Sequence, residues 1–286
     1  MKFQLCLIIT VLSTLYSLKS FSHKGFIRIE QIAYGFNFSS SWSQSQPLGV
    51  NIDFTNYIHS SKIDNGASLG FGSTFGIGNT IKVDARASYS PDTRLNMKGQ
   101  IAFFTGKYFG LVGGYATYSN TVNNYRDFFE NQSDEYILLA NSYLCFEGIQ
   151  FSNRAIYLGP TMRYSMGIIS IEGSVALGYA QNSNFSTTIA QKKVDSNYRK
   201  EMAYDIVTSS YLVVMPEVKF NADIFSFDIT TFGFEVSVFG EFSKRSLNYN
   251  LTESSWTNTQ PTSQKVENPK RLTSRLNVDV SIIWKF

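Results

Sequence analysis

The closing stretch of the chain, residues 275–286, repeats with a period of two. Leu276, Val278, Val280, Ile282, Trp284 and Phe286 are apolar, and Arg275, Asn277, Asp279, Ser281 and Lys285 are polar, with only Ile283 out of step. Successive side chains of an extended chain point to opposite faces, so this strand has one face for hydrocarbon and one for water. The last strand of a soluble domain ordinarily frays. A membrane barrel offers lipid on one side and a polar lumen on the other, which is the environment this pattern asks for.

The same period recurs upstream. Residues 80–90 set Ile81, Val83, Ala85, Ala87 and Tyr89 against Lys82, Asp84, Arg86 and Ser88, and residues 48–58 set Leu48, Val50, Ile52 and Phe54 against Asn51, Asp53 and Thr55. Runs at 67–77, 94–104, 156–164, 169–179, 212–220 and 232–242 repeat it, and 26–38, 108–119 and 136–148 do so more weakly. With the closing stretch this predicts about twelve strands, ten or fourteen being compatible with the same runs. Each is long enough to cross a bilayer at a tilt. Pro160 and Pro216 fall on apolar faces, where each costs a ladder hydrogen bond. Residues 120–135, 182–205 and 246–272 read as long polar loops rich in Asn, Ser, Thr and Gln. In a barrel with both termini on one side, long loops follow odd-numbered strands. The 120–135 loop follows the sixth strand of this count, which places an error of one upstream of residue 180.

At the amino end, Lys2 precedes a mostly apolar run from Leu5 to Leu18, and Ser20-Phe21-Ser22 offers small residues at a cleavage site. Residues 1–22 therefore read as a signal peptide, leaving one domain over 23–286. Cys6 leaves with the signal, and Cys145 alone forms no internal disulfide. Aromatic residues make up 15% of the chain and charged residues only 16%, against about a quarter charged in an ordinary soluble domain. The net charge of +3 is spread along the chain with no basic cluster for nucleic acid.

The polar faces carry both signs of charge: Asp53, Lys82, Asp84, Arg86, Lys98, Arg163, Glu172, Glu217, Lys219, Glu235, Glu241, Arg275, Asp279 and Lys285. Charges cannot face lipid, so these side chains are expected to line a lumen. There they either pair with one another or form a charged constriction that sets solute preference. Lys82, Arg86 and Arg163 would meet Glu172, Glu235 and Glu241 in the second case. Catalytic chemistry has little to draw on. The two histidines are His23, at the start of the mature chain, and His59, beside Ser60 and Ser61 but on a strand where neighbours face apart. The His and Cys spacing supplies no zinc site, and Gly70, Gly72 and Gly76 lack the Lys and Ser/Thr of a phosphate loop. No catalytic residue, metal or cofactor is expected.

The alternate apolar residues Val280, Ile282 and Trp284 with a final Phe286 resemble the terminal strand of bacterial outer-membrane β-barrel proteins, although Ser281 stands where that family commonly has Gly. The resemblance implies export, contact with outer-membrane lipid, and reading of the last strand by the barrel-insertion machinery. The expected fold is all-β, a single transmembrane antiparallel β-barrel in the outer membrane. The expected role is a porin-like channel for small solutes or a membrane scaffold whose outer loops bind a ligand. The rivals are a secreted soluble all-β binding module, since packed sheets also alternate, and a barrel lipid enzyme.

Overall fold

A computed structural model describes residues 27–43, 66–78, 80–90, 94–122, 136–138, 149–183, 185–193, 199–227, 230–245, 248–255, 258–267 and 271–286. The signal-peptide reading of 1–22, the strand expected at 48–58, and His23, Asp53, His59 and Cys145 lie outside them.

Strands are numbered in chain order. Ten of them close into an antiparallel barrel: β1 (Ile27–Ser43), β2 (Gly66–Ile77), β3 (Ile81–Ser90), β4 (Arg94–Phe104), β5 (Phe109–Val122), β7 (Ile149–Met166), β8 (Ile169–Asn182), β11 (Ser210–Phe227), β12 (Thr230–Arg245) and β15 (Arg271–Lys285). Around the ring the order is β1-β15-β12-β11-β8-β7-β5-β4-β3-β2. The closing strand is thus the seam, paired with β1 from Gln31↔Lys285 to Ser43↔Thr273 and with β12 on its other side. A single closed ring with apolar residues outside is not a sandwich of two packed sheets, so the soluble β-sandwich expectation is set aside.

Ten strands is the low end of the count read from the sequence. Of the two surplus strands, 48–58 lies outside the described residues. Of the other, 136–148, the described residues form β6 (Tyr136–Leu138), which is not in the barrel, and 139–148 lie outside them. Without these two, the long connections 43–66, 122–149, 182–210 and 245–271 follow the first, fifth, seventh and ninth barrel strands and open at one end. The short turns after β2, β4, β7 and β11 lie at the other end, with Ile27 and Phe286. Gly78 (φ 60°) and Gly167 (φ 58°) make two of these turns in a conformation that side chains disfavour.

Two of the long connections, 182–210 and 245–271, are not the loops the sequence suggested, and residues 123–135 of the loop expected at 120–135 lie outside the described residues. β9 (Phe185–Lys193) and β10 (Arg199–Ile206), then β13 (Tyr249–Ser255) and β14 (Asn258–Val266), form a second sheet in the order β14-β13-β10-β9-β6. It stands on the barrel wall built by β15, β12, β11 and β8, in the same strand order.

Burial alternates as the lipid-and-lumen reading requires. On β8, Leu177 is 70% exposed while Ala176 and Ala180 are at most 1% exposed, and on β11, Leu212 is 77% exposed beside Val213 at 1%. An outer wall of large apolar side chains is unfavourable in water and matched to hydrocarbon. Aromatic rings gather at the turn end, where Phe225 stacks on Phe232 at 4.9 Å and Trp284 meets Phe232 edge-on at 5.3 Å. Ile283, the residue out of step, points inward and is fully buried opposite Ala33 and Gly233. The prolines act locally: the β7–β8 ladder skips Gly159 and Pro160, and the β11–β12 ladder skips Met215 and Pro216, with the register unchanged on either side.

Candidate functional site

The interior of the barrel holds the site. β3 places Lys82, Asp84 and Arg86 at alternate positions, so all three enter the lumen. β11 supplies Glu217 and Lys219 in the same way, β12 supplies Glu235, β8 supplies Glu172 and β4 supplies Lys98. Lys82 pairs with Glu172 at 2.5 Å, Arg86 with Asp84 at 3.0 Å and with Glu235 at 2.5 Å, and Lys98 with Glu217 at 2.5 Å. Lys219 pairs with Asp84 and lies 3.6 Å from Glu217.

The position of these strands gives the pairs their meaning. In the ring of ten, β3 and β11 stand five places apart, so Lys219 and Asp84 meet from directly opposite walls. The Lys82–Glu172, Arg86–Glu235 and Lys98–Glu217 pairs each join strands four places apart. Ordinary side chains nearly fill a small barrel, and here extended Lys and Arg chains reach across it. Asp84 and Glu235 are each 2% exposed and Lys219 is 3% exposed. Removing such charges from water is costly, and pairing with further hydrogen bonds offsets the cost. Thr74 donates to Asp84 at 3.1 Å and Gln31 to Glu235 at 2.9 Å. Gly72 leaves the space that Arg86 fills, since a Cβ there would lie 2.5 Å from its Cδ.

Above this belt, toward the outer sheet, rings and cations form a second layer. The Arg275 guanidinium lies 4.2 Å over Tyr118, Tyr118 is 6.0 Å from Phe239, and Lys98 Nζ lies 4.2 Å over Phe239. Asn37 donates to Asp279 at 2.5 Å beside them. Tyr118, Tyr157, Tyr211, Val213, Met215 and Phe239 pack with inward alanines into a buried cluster. A recess of about 50 Å³ remains between Lys98, Tyr118 and Asn277. At the turn end a larger recess of about 250 Å³ is bounded by Arg28, Glu30, Thr80, Lys82 and Arg163.

Of the charges singled out in the sequence, Lys82 meets Glu172 and Arg86 meets Glu235, while Arg163 and Glu241 do not join the belt. Arg163 sits near the turns, its Nε donating to the Lys107 carbonyl at 3.2 Å and its guanidinium 3.9 Å over Phe104. Glu241 is buried higher in the barrel, opposite Arg275 in the β12–β15 register. The insertion-signal residues Val280 and Ile282 face outward, and Trp284 and Phe286 are half-exposed at the turn end. The sequence reading missed Gln31, Tyr118, Tyr157 and Asp223. Tyr118 and Tyr157 share the parity of the inward Ala116 and Ala155, a signal lost in runs with weak alternation. Among the described residues no group of three or more His, Cys, Asp or Glu gathers as metal ligands. Outside the membrane-facing part, Lys265 lies 2.6 Å from Glu267 and holds its carboxyl below the usual range, a pair open to solvent.

No family model matches the sequence, and no curated protein does. Solved structures do. The outer-membrane protease OmpT of Escherichia coli is 12% identical, with 91% of this chain and 96% of that one covered at a TM-score of 0.50. The translocator domain of the autotransporter NalP from Neisseria meningitidis is 12% identical, with 98% and 96% covered at 0.34. The attachment invasion locus protein Ail of Yersinia pestis is 9% identical, with 88% and 98% covered at 0.28. At such identities the likeness to OmpT concerns the fold alone, and nothing is argued from the other two. By that fold, and by its own closed ring with apolar residues outside, the chain is a ten-stranded β-barrel of the outer-membrane type.

Proposed function

We propose that this protein is a binding scaffold of the bacterial outer membrane, a closed barrel that carries its outer sheet as a recognition platform. The observation that supports this most is the ion-pair belt. Cations and carboxylates from opposite walls meet at the centre of the lumen, and a path for solutes would have to break several buried pairs at once. The long strand extensions gather β6, β9, β10, β13 and β14 into one sheet beyond the barrel, where a partner could reach it. The role is binding and not catalysis. Under this reading the outer wall contacts lipid, and the insertion machinery reads the last strand through Val280, Ile282, Trp284 and Phe286.

The recesses on the two sides of the belt favour a second reading, a conduit for small solutes that opens when the belt rearranges. Planar-bilayer recording separates the two. The scaffold inserts from detergent without stepwise current. Stable current steps from the unaltered protein would establish the conduit instead.

A further inference from the structure

The turn-end recess differs from the rest of the lumen in its charge balance. Lys82, Arg86, Lys98, Lys219 and Lys285 each meet a carboxylate. Among the described residues no carboxylate pairs with Arg163. Its Nε is engaged by the Lys107 carbonyl at 3.2 Å, and its guanidinium plane is fixed 3.9 Å over the Phe104 ring. Those two contacts orient the group and leave its two Nη nitrogens as a fork. The other charges around the recess are matched. Arg28 grips Glu30 through Nε at 3.1 Å and Nη2 at 3.0 Å, and Lys82 holds Glu172 at 2.5 Å. Arg28, Lys82 and Arg163 thus stand against Glu30 and Glu172, leaving one positive charge over.

A pre-oriented guanidinium fork suits carboxylate and phosphate geometry. The recess, about 250 Å³, equals roughly eight waters at about 30 Å³ each, enough for a small polyatomic anion. We infer that this recess binds a small oxyanion, a carboxylate or phosphate group, held by the Arg163 fork. The site faces the end opposite the outer sheet, so it is independent of the platform proposed above.

Isothermal titration of the chain refolded in detergent, at low chloride, tests it with inorganic phosphate and, separately, with acetate. The expected result is saturable uptake at one site, the tighter of the two probes naming the group. Arg163→Gln should bind at least about tenfold more weakly, as expected for a lost charge-assisted hydrogen bond. Arg163→Lys keeps the charge and the fold but loses the fork, and should also bind more weakly than the unaltered chain. Absence of saturable uptake by the unaltered chain would overturn the inference, and so would either variant binding as tightly as the unaltered chain.

Discussion

The barrel and the sheet above it are made of consecutive strands, yet they follow opposite rules. In the barrel the apolar side chains face out and the charges face in, so that Leu177 is 70% exposed while Glu217 and Lys219 are buried. In the outer sheet the register places Leu251 on one face and Glu201, Asp205, Asn250 and Lys265 on the other. There Leu251 is buried, and Glu201, Asp205, Asn250 and Lys265 are exposed. The first arrangement suits hydrocarbon and the second suits water. The solvent therefore changes between residues 182 and 185 on one strand and 206 and 210 on the next. That junction is tied by Asn182, whose Oδ1 accepts from the Ser209 amide at 2.9 Å and from its hydroxyl at 2.5 Å. The edges differ as well. Every barrel strand is paired on both sides, whereas the outer sheet ends on β14 and on the short β6. Open edges and solvated polar faces are where a barrel protein can meet a partner, and closure denies both to the wall.

Four substitutions and one deletion break or sharpen this contrast. The largest effect is expected at the belt. Lys219→Glu would face Asp84 and Glu217 with a like charge, and no refolded barrel should be recovered from urea into lipid vesicles. Lys219→Met removes the cation alone and should cost about 3–5 kcal/mol, the range for breaking a buried pair, by urea unfolding in vesicles. Next, Leu177→Arg puts a charge on the outer wall and should cost about 2–4 kcal/mol in vesicles. An effect near zero there would deny that this face meets lipid. Replacing the β9–β10 hairpin, residues 185–206, by a short turn should change barrel stability by less than about 1 kcal/mol, because the ring closes without it. The same deletion should abolish whatever binding the platform provides. Smallest of all, Asp205→Asn on the exposed face of the outer sheet should stay within about 0.5 kcal/mol in thermal unfolding.

The alternation that makes the wall was legible because one face of each strand meets a single solvent over its whole length. The closing residues 275–286 show it best, and the structure places them at the seam. Ring size was less legible. Strand length and period do not say which runs join the ring, and Tyr136–Leu138 pairs with β9 instead. The outer sheet was hidden for a related reason. Thr, Ser and Gln dominate β9 and β14, and Pro261 interrupts β14, so both read as loops until pairing is seen. The inward charges were legible by parity. Their partners were legible only in part: Lys82–Glu172 and Arg86–Glu235 fall within the two groups the sequence set against each other, whereas Asp84 and Lys219 are 135 residues apart and meet only through the order of strands around the ring.

A double-mutant cycle on Asp84 and Lys219 tests the central claim most directly, that opposite walls are tied together across the lumen. Asp84→Asn, Lys219→Met and the pair of changes together would be unfolded by urea in lipid vesicles. Pairing across the diameter predicts a coupling of at least about 1.5 kcal/mol, well above the few tenths found between independent sites. Additive losses would mean that the two side chains do not meet, and the lumen would not be closed by this belt.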